Sequence, residues 1–312
     1  MTRSEGTLAA YEVALEDFIE RIKKDSNIIA AILFGSMVSG ALWEKSDLDI
    51  HLISKDETKP FSQFWLVDGN IIVQVSIESR RHFRQSVESS LESSHIFHIL
   101  STCRLLFSHD ESLTGYIENA SKIGERDRKL QMMRNAMYLP GDLEKVQKAL
   151  VVYNDHLMAF GFLLHAVEGI ARLEIVRRGQ IPGREFLQQA RECNPEIMRK
   201  IYTDVLENGV TRELVQSALD VVTKHLENLS SEIYRPLLDF IIQEGGHCGS
   251  ARIDAHFRNK LGMSGMATMI TVCEWLADLG IVVRMPRPLL LTSRSREPMM
   301  EAAYYYAEED FE

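Results

Sequence analysis

A chain of 312 residues, 45% hydrophobic and 26% charged, has the composition of an ordinary soluble globular protein and the length for two or three domains. Its net charge of −10 argues against general affinity for nucleic acid, which needs basic surface to neutralise phosphates, and leaves room only for a small basic patch. No run approaches the roughly 18 apolar residues of a membrane span, and Cys103, Cys193, Cys248 and Cys273 are scattered without C-x-x-C spacing, so neither zinc nor a disulfide framework is expected.

From the N-terminus, Glu16, Asp17 and Glu20 interrupt the first apolar stretch, so no export signal is expected and the chain reads as cytoplasmic. Leu8, Tyr11, Leu15, Phe18, Ile19 and Ile22 recur at helical spacing, and Lys23-Lys24 suit the end of that helix. After a break at Asp25-Ser26-Asn27, Ile28 to Phe34 reads as a buried strand ending at Gly35-Ser36, where a short helix opens with Ser36 near its cap. Residues 37 to 46 intervene before Asp47-Leu48-Asp49-Ile50-His51-Leu52, in which carboxylates alternate with apolar residues. On a strand that period puts Asp47 and Asp49 on one face and Leu48, Ile50 and Leu52 on the other. Two carboxylates side by side repel, and a hard divalent cation such as magnesium relieves the repulsion while bridging to substrate phosphates. Backbone N–H groups at Gly35-Ser36 can meet those phosphates. The stretch therefore reads as a site for a magnesium-bound nucleoside triphosphate, the simpler reading being a pair of solvated acids at a strand edge.

Phe34-Gly35-Ser36, a spacer and then Ser46-Asp47-Leu48-Asp49-Ile50 together resemble the signature of the polymerase-β-like nucleotidyltransferase superfamily. The resemblance is nearest to bacterial enzymes that adenylylate aminoglycosides or lincosamides. It implies that Gly35, Ser36 and Ser46 hold the nucleotide and that Asp47 and Asp49 ligate catalytic magnesium, in a site that can take two metals. It also implies a third carboxylate on the next strand, but the matching position in Val73-Gln74-Val75 is Gln74. An amide brings no charge and takes no proton. Glu78, on the same side of an extended strand about 13 Å away, either substitutes or pairs with Arg80 or Arg81.

Further along, 55–60 reads as a loop, Asn70 to Ile77 as a strand after the turn Asp68-Gly69-Asn70, 80–100 as a helix, and Cys103 to Phe107 as a last short strand. Residues 1–120 thus make an α/β nucleotidyltransferase domain, a mixed sheet flanked by helices. Residues 121–232 read as an all-α bundle on the acceptor side, with one helix at Arg126–Tyr138 stopped by Pro140-Gly141 and a single helical period from Leu143 to Arg178. Helices over 184–192, 195–207 and 211–229 complete the bundle, whose counterpart in the resembled enzymes helps form the acceptor cleft. Three helices (237–242, 253–261 and 264–279) and a hairpin of 281–284 with 289–292 make 233–298 winged-helix-like, and 299–312 reads as a loose acidic tail.

Glu168 is the candidate general base, since the resembled enzymes can draw a catalytic carboxylate from their helical domain; its spacing to Arg172 also fits a surface ion pair. His95 with His98, His165, and Asp155-His156 read as structural rather than as metal ligands. The helix 266–279 that would face DNA carries Glu274 and Asp278 and no basic residue, so packing or a homodimer contact suits it better; Arg284, Arg287, Arg294 and Arg296 lie on the wing.

The function expected is a metal-dependent nucleotidyltransferase moving a nucleoside monophosphate from an NTP, ATP by preference, to a hydroxyl of a small molecule. The alternative is a catalytically degenerate nucleotide-binding regulator, as Gln74 hints, whose C-terminal domain contacts DNA or a partner. A protein or tRNA acceptor is a third reading, the charge of −10 weighing against tRNA.

Overall fold

Helix α1 (Arg3–Ile22) turns Tyr11, Ala14, Leu15, Phe18 and Ile19 to one side, and all five are buried. Their spacing of three and four gives one apolar stripe, and burying a Leu, Ile or Phe contributes roughly 1.5–3 kcal/mol each. The stripe packs on one face of a five-stranded sheet, against Ala31, Leu33, Leu48, Ile50, Leu52, Val73 and Val75. The computed structural model describes residues 3–55, 61–89, 100, 103–120, 125–261 and 269–306.

The sheet is built from β1 (Ile28–Phe34), β2 (Leu48–Ser54), β3 (Phe61–Asp68), β4 (Ile71–Ser79) and β5 (Arg104–Ser108), in the order β3-β4-β2-β1-β5. Only β2 and β4 run parallel. The short helix α2 (Ser36–Ser39) follows β1, α3 (Arg80–Ser89) follows β4, and α4 (Glu111–Ala120) follows β5. On the face away from α1, Ala30, Ile32 and Ile53 pack with Phe83 of α3 and with Leu113 and Ile117 of α4. The sheet is mixed and helix-flanked, as expected.

Two elements differ from the sequence reading. Strand β3, which was not expected, is an edge strand forming a hairpin with β4 about Gly69-Asn70, with Gly69 at φ 57, so the turn read at Asp68-Gly69-Asn70 joins two strands rather than opening one. Helix α4 was not expected; Asp110 opens it by accepting from the Ser112 backbone N–H (3.0 Å) and hydroxyl (2.6 Å). The expected loop at 55–60 lies, from 56 on, outside the described residues, as do 90–99 of the expected helix and with them His95 and His98.

The chain divides into two compact units, Met1–Ile123 and Gly124–Glu312. In the second, one apolar core runs from Met132 to Tyr306, so the bundle and the C-terminal segment expected as separate domains at 232/233 share a core. Helices α5 (Glu125–Ala136), α6 (Leu139–Val151) and α7 (His156–Arg177) begin it. The single helix expected over 143–178 is two. Asn154 takes φ 52, and the Asp155 side chain caps α7 by accepting from the N–H groups of Leu157 (3.0 Å) and Met158 (2.9 Å). Asp155→Ala is expected to cost about 1 kcal/mol, read as a lower urea midpoint; an unmoved midpoint would show that water replaces the cap. Pro140 likewise sits in the first turn of α6, where its missing N–H costs nothing, and starts a helix rather than stopping one.

Helix α8 (Phe186–Cys193) is followed by the helical segment expected from Pro195 to Glu207, with a π-helical turn at Arg199–Thr203, and then by α9 (Arg212–Ile233) and α10 (Arg235–Gln243). The fully buried Tyr234 between the last two donates its hydroxyl to the Ala136 carbonyl (3.0 Å). Strand β6 (His247–Gly249), α11 (Ser250–Lys260), α12 (Ile270–Asp278), β7 (Val283–Leu289) and β8 (Met299–Tyr305) complete the unit, with the strands ordered β6-β8-β7. The hairpin thus joins 283–289 to 299–305, not 281–284 to 289–292. Much of the expected acidic tail is strand β8, because Ala303 and Tyr304 are buried and Tyr304 donates its hydroxyl to Glu274 (2.6 Å); 307–312 lie outside the described residues. Among the described residues no helix is long and apolar enough to cross a membrane. Cys103, Cys193, Cys248 and Cys273 are free thiols.

Candidate functional site

The sheet face opposite α1 is divided. Cross-strand register sets Phe34, Asp49, Gln74 and Trp65 in one row across β1, β2, β4 and β3. Two residues further along β2 and β4, His51 pairs with Ser76, and both are buried. The half of the face containing His51 and Ile53 lies under α3 and α4; Asp49 and Gln74 are only partly covered. Asp47, one residue before β2, extends the open half. The alternation anticipated for Asp47 and Asp49 is thus met, with Leu48 and Ile50 wholly buried on the other face.

Gly35 ends β1 with φ 77 and ψ −153, a region essentially reserved for glycine. A Cβ there would lie 2.1 Å from Oδ2 of Asp49, so the absence of a side chain lets the carboxylate sit against the backbone. Gly35 caps α2, its carbonyl accepting from Val38 and Ser39 (both 3.1 Å). The opening turn of a helix leaves its first N–H groups without intrahelical partners, and here they belong to the residues beside Asp49. Ser36 Oγ is buried and has no hydrogen-bond partner among the described residues. An orphan hydroxyl costs about 1–3 kcal/mol and fits a group that a bound phosphate oxygen would satisfy.

Ser46 holds the loop before β2. Its hydroxyl accepts from the Trp43 N–H (3.1 Å), its own N–H donates to the Trp43 carbonyl (3.0 Å), and its carbonyl accepts from the hydroxyl of Tyr11. Burial, and then the negative charge of Asp47, push the Tyr11 phenol above its ordinary value, which keeps it a donor. In the sequence Tyr11 counted only as one apolar residue of the α1 stripe. Its second role needed the fold to be seen.

Gln74 stands directly across from Asp49, where the third carboxylate was expected. Glu78 does not pair with Arg80 or replace it. Strand alternation buries Glu78 beneath α3, where its carboxylate accepts from His51 Nε2 (2.7 Å) and is bound on its other oxygen by His82 Nδ1; His51 Nδ1 reaches Ser76 Oγ (2.6 Å). Burial raises the Glu78 carboxyl, but the hydrogen bonds and charges of His51 and His82 outweigh it and leave it below the usual range. Arg80, at the start of α3, pairs with Asp110 instead (2.6 Å).

In the second unit Glu168 is exposed on α7, and no ion pair joins it to Arg172, whose guanidinium lies over the Phe186 ring (3.8 Å). One turn and a half further on, Glu174 is buried and accepts from His225 Nε2 (2.8 Å), Asn194 Nδ2 (2.8 Å) and Arg177 Nη1 (3.3 Å). Burial pushes its carboxyl up; the bonds from His225 and Asn194 and the charges of His225 and Arg177 prevail and hold it at about 2.

Among the described residues no three His, Cys, Asp or Glu side chains gather as a metal cage. Magnesium takes one or two carboxylates and fills its remaining positions with phosphate oxygens and water. Asp47 and Asp49 supply such a pair beside a glycine cradle and an orphan hydroxyl.

Residues 16–112 match the family model described as polymerase beta, nucleotidyltransferase, a span that includes Gly35, Ser36, Ser46, Asp47, Asp49 and Gln74. A crystal structure of a nucleotidyltransferase-like protein from Exiguobacterium sibiricum 255-15 superposes with a TM-score of 0.64 at 13% identity, covering 95% of this chain and 99% of that one, a likeness of fold. The chain is also 25% identical over 162 residues to the uncharacterized protein YgxA of Bacillus subtilis (strain 168), covering 50% of this chain and 48% of YgxA; it spans about half the length of that relative.

Proposed function

Residues 16–112 form a domain of the polymerase-β-like nucleotidyltransferase superfamily, and from that premise we infer a magnesium-dependent transferase that moves a nucleoside monophosphate from an NTP to a hydroxyl of a small-molecule acceptor. The observation that carries the reading is the conjunction, where β1 ends beside the start of β2, of Asp47 and Asp49, the Gly35 cradle against Asp49, and the unsatisfied Ser36 hydroxyl.

In this reading the acceptor oxygen attacks the α-phosphorus, a new P–O bond forms, the bond to the β-phosphate breaks, and pyrophosphate leaves with the electron pair. Gly35 and Ser36 hold the departing phosphates through backbone N–H groups and the Ser36 hydroxyl. Asp47 and Asp49 hold magnesium, which when bound neutralises charge on the phosphates. Tyr11 and Ser46 fix the approach to β2 and so aim Asp47. The Gln74 amide cannot take a proton, so in this reading the hydroxyl proton goes to a carboxylate elsewhere, for which Glu168 is the candidate taken from the sequence. A cytoplasmic setting supplies both ATP and magnesium.

The test is calorimetric titration of the four ribonucleoside triphosphates, with and without magnesium. Wild type is expected to bind one of them only with the metal, and Asp47→Asn with Asp49→Asn to lose it at least 100-fold; equal binding by the double variant would sink the reading. Glu168→Gln should retain binding and lower turnover in an acceptor screen. One observation favours a second reading, a nucleotide-binding regulator: the neutral Gln74 in line with Asp49. Metal-dependent binding without turnover on any acceptor would select it.

A further inference from the structure

The open half of the sheet face does not end at Gln74. In the same row stands Trp65, and in the next row Val67 pairs with Ile72 on the side toward Asp47. Trp65 is 64% exposed, Val67 73% and Ile72 49%, and among the described residues none of the three joins an apolar cluster. An indole and two branched side chains laid together in water beside two carboxylates are costly surface unless something covers them. Helices α3 and α4 pack on the other half of this face.

We propose that Trp65, Val67 and Ile72 are the seat for a flat apolar ring of the acceptor. This rests on the transferase reading and deepens it. In-line displacement sets the attacking and leaving oxygens on opposite sides of phosphorus. The leaving phosphates lie toward Gly35 and Ser36 at the end of β1, so the hydroxyl enters from the opposite side of β2, across β4 and β3. Strands are about 4.8 Å apart, which puts Trp65 roughly 10 Å from Asp49, the length of a small ring joined to a hydroxyl by a short link. Indole faces stack on flat rings. The acceptor class is therefore an alcohol bearing an aromatic or flat apolar ring a few bonds from its reactive hydroxyl.

The test uses saturation-transfer NMR with 3-phenylpropan-1-ol, propan-1-ol and adenosine as probes, on protein holding magnesium and α,β-methylene-ATP. Wild type and Trp65→Phe should saturate the phenyl compound and not propanol, and Trp65→Ala should weaken it at least fivefold while magnesium-dependent nucleotide binding stays at its wild-type value. Weakened adenosine binding in Trp65→Ala would overturn the proposal in favour of a nucleobase seat. A wild-type dimer that Trp65→Ala dissociates in sedimentation would overturn it in favour of a contact between copies. No phenyl binding in a protein that binds nucleotide overturns this proposal alone; phenyl binding in a protein that binds no nucleotide overturns the acceptor assignment and the transferase reading together.

Discussion

Gly35→Ala is expected to abolish magnesium-dependent nucleotide binding, a loss of at least 100-fold in calorimetric titration, in a protein that still folds. Two effects combine. The backbone at φ 77 and ψ −153 suits glycine alone, so any side chain costs of order 1–3 kcal/mol in strain. The added Cβ would also lie 2.1 Å from Oδ2 of Asp49 and 3.0 Å from its Cγ. Relief is available only by moving that carboxylate, the group that would hold the metal in the proposed reading. Circular dichroism should show an intact fold with a lowered melting temperature. Wild-type nucleotide affinity in the variant would mean that Asp49 is not where the phosphates and metal meet.

Glu174→Gln should remove about 3 kcal/mol of stability from the second unit at pH 7, as each unit of pKa shift is worth about 1.4 kcal/mol. The Glu174 side chain is only 4% exposed, and its folded carboxyl titrates at about 2 against an ordinary 4.5. A depressed folded pKa stabilises above the unfolded value, and that contribution is lost as pH falls through the folded one. The gap between wild type and variant should therefore be full at pH 7, begin to shrink below about 4.5, and close toward 2. Urea titration at pH 7, 5 and 3.5, followed by the helical circular dichroism that this unit dominates, measures it. A gap that does not change with pH would show that the loss comes from packing rather than charge.

What could be read from the sequence was local. Gly35, Ser36, Asp47 and Asp49 fall within one strand–turn–strand, and alternation alone set the two carboxylates on one face. Gln74 opposite Asp49 followed from the apolar pattern around it. Strand β3 escaped because Phe64, Trp65, Leu66 and Val67 are consecutive and apolar on an edge with exposure on both sides, so no alternation marks it. The break at Asp155 was hidden by apolar residues that keep helical spacing across it, while the positive φ of Asn154 leaves no trace in composition. Glu174 had no local signal. Its partners His225 and Asn194 are 51 and 20 residues away. The burial of Tyr304 likewise depends on distant residues, and the acidic residues after it disguised a core strand as a tail.

The division of the sheet face also bears on how freely this protein can be remodelled. Along β2 every side chain is committed: Leu48, Ile50 and Leu52 to the α1 core, Asp49 to the open half of the face, His51 and Ile53 to the covered half, and Ser54 to a hydrogen bond donated to the Glu78 carbonyl (3.2 Å). No position on that strand can vary without loss to folding or chemistry. Among the described residues, Trp65, Val67 and Ile72 are exposed and belong to no apolar cluster. If these positions seat the acceptor as proposed, selection for a new one has three adjacent positions to explore at little risk to β2, and the two kinds of change can accumulate independently.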